Sequence, residues 1–244
     1  MSSADPSEKR PWLLHKINWS NRLSGAADVN IVEILSDGFL RSGGELGRKK
    51  LAKASLITFP STSPDDVFLR LGTPRDITNI ASGAVLALDA RALLLHDFYL
   101  NVGWGGGRGG TRVHGRKLTD DRLFAELGRL NRERDLEFLL NRASAKALMC
   151  AHTFEISNEV LVGGAIPLHP YLRAVYVYTP DPRPDGRPTY GAVSATGVVM
   201  LREFLEKNYP GVAIIPYDAR AQKQAFEAAL EIRMAKRAAR KIET

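Results

Sequence analysis

The chain has 244 residues, 44% apolar and 25% charged, which suits a globular protein with a sizeable core and excludes a disordered one. Its longest uncharged apolar runs (84–88, 92–95 and 160–168) are far shorter than the roughly 18–20 residues of a bilayer span, so no membrane role is expected. The single cysteine, Cys150, excludes an internal disulfide and a cysteine-built zinc site, and it reads as a buried thiol. The polar opening MSSADPSEKR lacks a signal-peptide core, which predicts a cytoplasmic protein.

The first strand is expected at 13–17, after a flexible lead over 1–12. A helix follows over 29–35, where Val29, Val32 and Leu35 recur at helical spacing, and Asp37-Gly38 closes it. Residues 55–59 read as a strand ending at Pro60. Pro64 then reads as the start of a helix through 67–71. The apolar run 84–88 has the length of a buried strand, and Asp89 caps a short helix over 90–95. The segment 101–118 is so rich in glycine that it reads as a flexible basic loop. Beyond it, 120–151 is helical with a break near Asn141, and 153–161 and 174–178 read as strands. Residues 181–188 form a proline-rich turn, 197–209 a helix and 212–216 a last strand; 219–244 reads as a basic terminal helix. Residues 13–218 thus form one domain with a helical insertion. The order is mixed α+β, not the strict alternation of a doubly wound parallel sheet.

The net charge of +7 comes from 34 Lys and Arg against 27 Asp and Glu, and it is concentrated. One basic segment is the tail 219–244, and the other carries Arg108, Arg112, Arg116 and Lys117 with no acid between them. Such patches suit an anionic partner, nucleic acid being the commonest, although solvated charge alone would produce the same pattern. Trp104 could stack on an unpaired base or simply pack. The run GGGRGG lacks the GxxxxGK[ST] spacing of a phosphate loop and the Rossmann fingerprint. His15, His96, His114, His152 and His169 have no metal-ligand spacing, so no metal site is expected.

Three segments carry more information. The first is Leu14-His15-Lys16-Ile17, with a helix ending Ile34-Leu35-Ser36-Asp37-Gly38-Phe39. The second is Ile57-Thr58-Phe59-Pro60-Ser61-Thr62-Ser63-Pro64, and the third is Ser157-Asn158-Glu159-Val160-Leu161-Val162 before Ile166-Pro167. With the closing Tyr209-Pro210-Gly211-Val212, this order resembles the ADP-ribosyltransferase superfamily, most nearly the DarT-type DNA ADP-ribosyltransferase toxins. In that superfamily a His or Arg lies on the first strand, and a catalytic Glu opens a late strand reading E-[VF]-L-V.

The resemblance implies a split mixed β-sheet core with a helical insertion and a C-terminal helix. It implies NAD as co-substrate and mono-ADP-ribosyl transfer to a nucleic-acid base, DNA ahead of RNA. A toxin with an antitoxin or immunity partner would fit the same family. Glu159 would stabilise the positive charge that grows on ribose as nicotinamide leaves, much as in glycoside cleavage. His15 and Lys16 would hold NAD, and Ser61, Thr62 and Ser63 would brace it. The assisting arginine would be Arg48, with Arg70 the other candidate. Trp104, Arg108, Arg112, Arg116 and Lys117 would hold the acceptor. Ser157 stands where arginine-modifying members carry a second Glu, which argues against an arginine acceptor. Taken alone, Glu159 could be a solvent-facing strand end, His15 a structural histidine and Ser61–Ser63 a helix cap. A protein-modifying transferase and a non-enzymatic nucleic-acid-binding protein are the competing functions.

Overall fold

Apolar runs of strand length pair into one broad sheet. The structure, a computed structural model, describes residues 10–17, 27–49, 64–72, 83–102, 108–140, 158–179 and 193–217. In chain order the elements are β1 (Trp12–Ile17), α1 (Ala27–Asp37), β2 (Phe39–Leu40), α2 (Gly43–Arg48), β3 (Asp66–Gly72) and β4 (Ala84–Asp89). A 3-10 helix (Ala90–Leu95) leads to β5 (Asp97–Asn101) and β6 (Thr111–His114), and a second 3-10 turn (Gly115–Lys117) precedes α3 (Asp120–Leu140). Then come β7 (Asn158–Gly163), β8 (Ile166–Pro167), β9 (Leu172–Tyr178), α4 (Ala195–Asn208) and β10 (Ala213–Tyr217).

Eight strands form a sheet in the order β10-β9-β4-β1-β3-β7-β5-β6, and β2 pairs with β8 in a separate ribbon. The β9–β10 pair is parallel and the other pairs antiparallel, so the sheet is mixed and the fold is α+β. Among the described residues, no helix is long and apolar enough to cross a membrane.

Side chains alternate between the two faces of a strand. On one face Leu13, Leu69, Leu71, Leu86, Val160 and Val162 pack with Ile31 and Leu35 of α1, Leu123 and Leu127 of α3, and Leu201 and Leu205 of α4. Each such leucine contributes roughly 1.5–3 kcal/mol by leaving water. The opposite face has a smaller apolar patch of Leu14, Val85, Ala87, Ala174 and Tyr176. Two ties hold the helices in place. Gly38, at φ +75°, ends α1 as its sequence suggests, and the Tyr209 hydroxyl donates to the Leu35 carbonyl at 2.6 Å.

Three expectations are corrected. The segment 67–71 is not a helix but lies in β3, because Val67, Leu69 and Leu71 bury on one face while Phe68 and Arg70 occupy the other. The segment 101–118 is not a flexible loop throughout: Thr111–His114 pairs with β5 in a hairpin. Two of its glycines serve close contact. A Cβ on Gly110 would stand 2.0 Å from the Leu100 carbonyl, and one on Gly115 would stand 2.0 Å from the Leu93 carbonyl. The first strand begins at Trp12, inside the segment 1–12 expected to be flexible. The strand expected at 55–59, the helical break near Asn141, the turn at 181–188, Cys150 and the terminal helix at 219–244 lie outside the described residues.

Candidate active site

Glu159 is the second residue of β7, and the strands on both sides fix its neighbours. It stands opposite Arg70 of β3 and opposite Asn101 of β5. Arg70 in turn stands opposite Leu14 of β1, and Leu14 opposite Ala87 of β4. One row therefore crosses the second face as Ala87, Leu14, Arg70, Glu159 and Asn101. Glu159 is only 3% exposed, so it is no solvent-facing strand end. Asn101 Nδ2 donates to Glu159 Oε2 at 2.9 Å. Directly before it, Asn158 points to the other face and donates to Asn131 Oδ1 of α3 at 2.9 Å, which pins the register of β7.

The ladder between β1 and β3 runs from Trp12–Gly72 only to Leu14–Arg70. Past that point β1 keeps pairing with β4 as far as Ile17–Ala84, and β3 keeps pairing with β7 as far as Asp66–Gly163. The sheet thus forks next to Arg70. Across the fork His15 Nδ1 donates to the Phe68 carbonyl at 2.9 Å, a carbonyl that a continuing ladder would have engaged. A carbonyl only accepts, so the proton of a neutral His15 sits on Nδ1. Burial lowers the His15 pKa; the bond to Phe68 opposes that shift and the Arg70 charge adds to it.

Lys16 stands opposite Val85 on the second face, the face of Arg70 and Glu159. His15 stands opposite Leu86, whose side chain belongs to the main core. Burial, reinforced by the Arg70 charge, pulls the Lys16 pKa down to about 8. Burial likewise lowers Arg70 to about 10, against the stabilising pull of Glu159. Lys16, Arg70 and Glu159 are therefore brought together by the fold.

Arg48 is elsewhere. It pairs with Asp65 at 2.6 Å on the surface, at the turn that precedes β3. The hairpin cations are mostly engaged within the chain. Arg108 grips Asp66 through two bonds of 2.7 and 2.8 Å and lies 5.5 Å from the centre of the Tyr99 ring. Arg112 and His114 share Asp97, each at 3.0 Å, and Arg116 donates to the Leu95 carbonyl at 2.9 Å. Lys117 makes no ion pair among the described residues. Ser61, Thr62, Ser63 and Trp104 lie outside those residues.

Sequence reading missed Asn101, whose only signal is its place at the end of a short aromatic strand before the glycines. A separate cleft of about 320 Å³, lined by His169, Arg173, Tyr209 and Val212 among others, contains none of the charged row.

Neither a protein-family model nor a curated protein matches the chain. Among solved structures, it is similar to Thermosipho africanus DarTG in complex with ADP-ribose, with 12% identity and a TM-score of 0.43 over 85% of this chain and 49% of that one. The chain thus spans about half the length of that protein's chain.

Proposed function

We propose that the chain is an NAD-dependent mono-ADP-ribosyltransferase in which Glu159 is the catalytic carboxylate. The observation that supports this most is a buried carboxylate between an arginine and an asparagine, on the central face of a sheet that forks beside it. In the reaction the bond between nicotinamide and ribose C1′ breaks, its electron pair leaves with nicotinamide, and the acceptor bonds C1′ and releases a proton. Positive charge grows on the ribose, and a carboxylate held in a water-poor site stabilises it without reorganising.

The donor set fits the co-substrate. Glu159 would meet the ribose, and the Lys16 and Arg70 cations suit its two phosphates. Arg70 takes over the assisting place first given to Arg48. Lys16 is the NAD-facing member of the β1 pair, while His15 holds the fork open through Phe68.

The proposed acceptor is a nucleic-acid base, DNA before RNA, supported by the basic tail 219–244. Since Arg108, Arg112 and Arg116 already have partners, most of the phosphate contact falls to that tail and to Lys117. A toxin of this kind would be kept harmless in its own cell by an antitoxin or immunity protein. Incubation with labelled NAD and either DNA, RNA or cell lysate tests the reading. Label is expected on DNA, and Glu159→Gln is expected to cut transfer by about 100-fold or more. Near wild-type transfer by a folded Glu159→Gln variant overturns the enzyme reading, and label confined to polypeptide overturns the acceptor.

A further inference from the structure

We infer that Asn101 is a positioning residue for Glu159, and that the glycine-rich hairpin exists in part to hold Asn101 in place. The inference rests on the transferase reading above and deepens it.

The two side chains come from strands 58 positions apart in sequence, yet they meet at 2.9 Å, and both are buried. An ionised carboxylate only accepts, so the amide must present Nδ2 to it, which turns Oδ1 away. On that other side lies Gly110. A Cβ at Gly110 would stand 2.0 Å from Asn101 Oδ1 and 2.0 Å from the Leu100 carbonyl. Only a residue without a side chain lets the hairpin backbone lie so close to the amide. Asn101 is therefore confined between the Glu159 carboxylate and the Gly110 backbone.

A hydrogen bond to a charged group inside a protein fixes direction as well as energy. Without it, the Glu159 side chain gains other rotamers, and the carboxylate no longer waits in one orientation. Such an interaction acts on the transition state, since Glu159 meets the ribose most strongly when positive charge has formed. Its loss should then appear in kcat rather than in KM.

The test measures nicotinamide release from NAD by the full chain and its variants, with melting temperature followed in parallel. Asn101→Ala is expected to lower kcat by about tenfold to a hundredfold, with KM for NAD changing by less than roughly threefold. Asn101→Asp keeps the shape but sets a second carboxylate against the first, so it should be slower than Asn101→Ala. If packing alone mattered, the order would reverse, because Asp fills the space that Ala leaves empty. Asp faster than Ala, or an unchanged kcat in Asn101→Ala, overturns the positioning role and leaves the transferase reading intact. A folded wild-type chain that neither cleaves NAD nor transfers from it overturns that reading, and the positioning role falls with it.

Discussion

Arg108→Ala should destabilise the protein although nearly half of the arginine side chain meets solvent. The reason is its partner. The Asp66 side chain is 1% exposed at the start of β3, and both its oxygens accept from the one guanidinium, at 2.7 and 2.8 Å. Removing one member of a fully buried ion pair costs about 3–5 kcal/mol, because the other charge is left without compensation. Here the guanidinium is 49% exposed, so water can reach the vacated place and the cost falls to about 2 kcal/mol. In a chain of this size that corresponds to a fall of about 4–8 °C in melting temperature. Thermal unfolding followed by circular dichroism measures it. Adding Asp66→Asn should restore most of the loss, since an amide needs no counter-ion, and the double variant isolates the pair. A melting temperature for Arg108→Ala within about 1 °C of wild type would refute this reasoning and leave Arg108 available for phosphate.

Two other expectations follow from the same face of the sheet. Lys16 has a folded pKa of about 8, below its ordinary 10.5, so between those values the unfolded chain binds the extra proton and stability rises with pH. Lys16→Met should thus be more stable than wild type at pH 7, by about 1 kcal/mol after discounting for partial exposure, and urea titrations should show the gap closing above pH 8. Gly110→Ala should lower kcat for NAD cleavage in the same direction as Asn101→Ala, because its methyl must displace either the Asn101 amide or the Leu100 carbonyl; unchanged turnover would detach the hairpin from the site.

What the sequence made legible was local. The spacing of α1 and its closing Gly38, the apolar run of β4, the Asp89 cap and the strands β9 and β10 all follow from periodicity within a dozen residues. β3 was hidden because Pro64 is an ordinary helix opener and Val67–Leu71 is too short for its alternation to outweigh that signal. The hairpin of β5 and β6 was hidden because glycine is read as conformational freedom, whereas Gly110 and Gly115 permit close approach. Glu159 could be singled out from the short pattern around it. Arg70 and Asn101 could not be set beside it, since only the register of three strands places them there.

The two faces of the sheet obey different rules, and the difference bears on function. The first face is filled with leucine, valine and isoleucine, as stability requires. The second face carries Lys16, Arg70 and Glu159 within a few residues of one another, and burial opposes the charge on both cations. An interior selected for stability alone would replace such groups with apolar ones of similar volume, often at no cost or with a gain. Perturbed, partly desolvated charges clustered in this way are what binding and catalysis require. At neutral pH Lys16 and Arg70 remain largely protonated, with pKa values of about 8 and about 10. Two cations thus share this face with the Glu159 carboxylate, and under the proposed function the phosphates of an anionic ligand would join them. A dinucleotide would bring two phosphates to those cations and also present a ribose to the carboxylate. The burial that lowers the Lys16 and Arg70 pKa values would then be offset by those phosphates, so NAD should raise both.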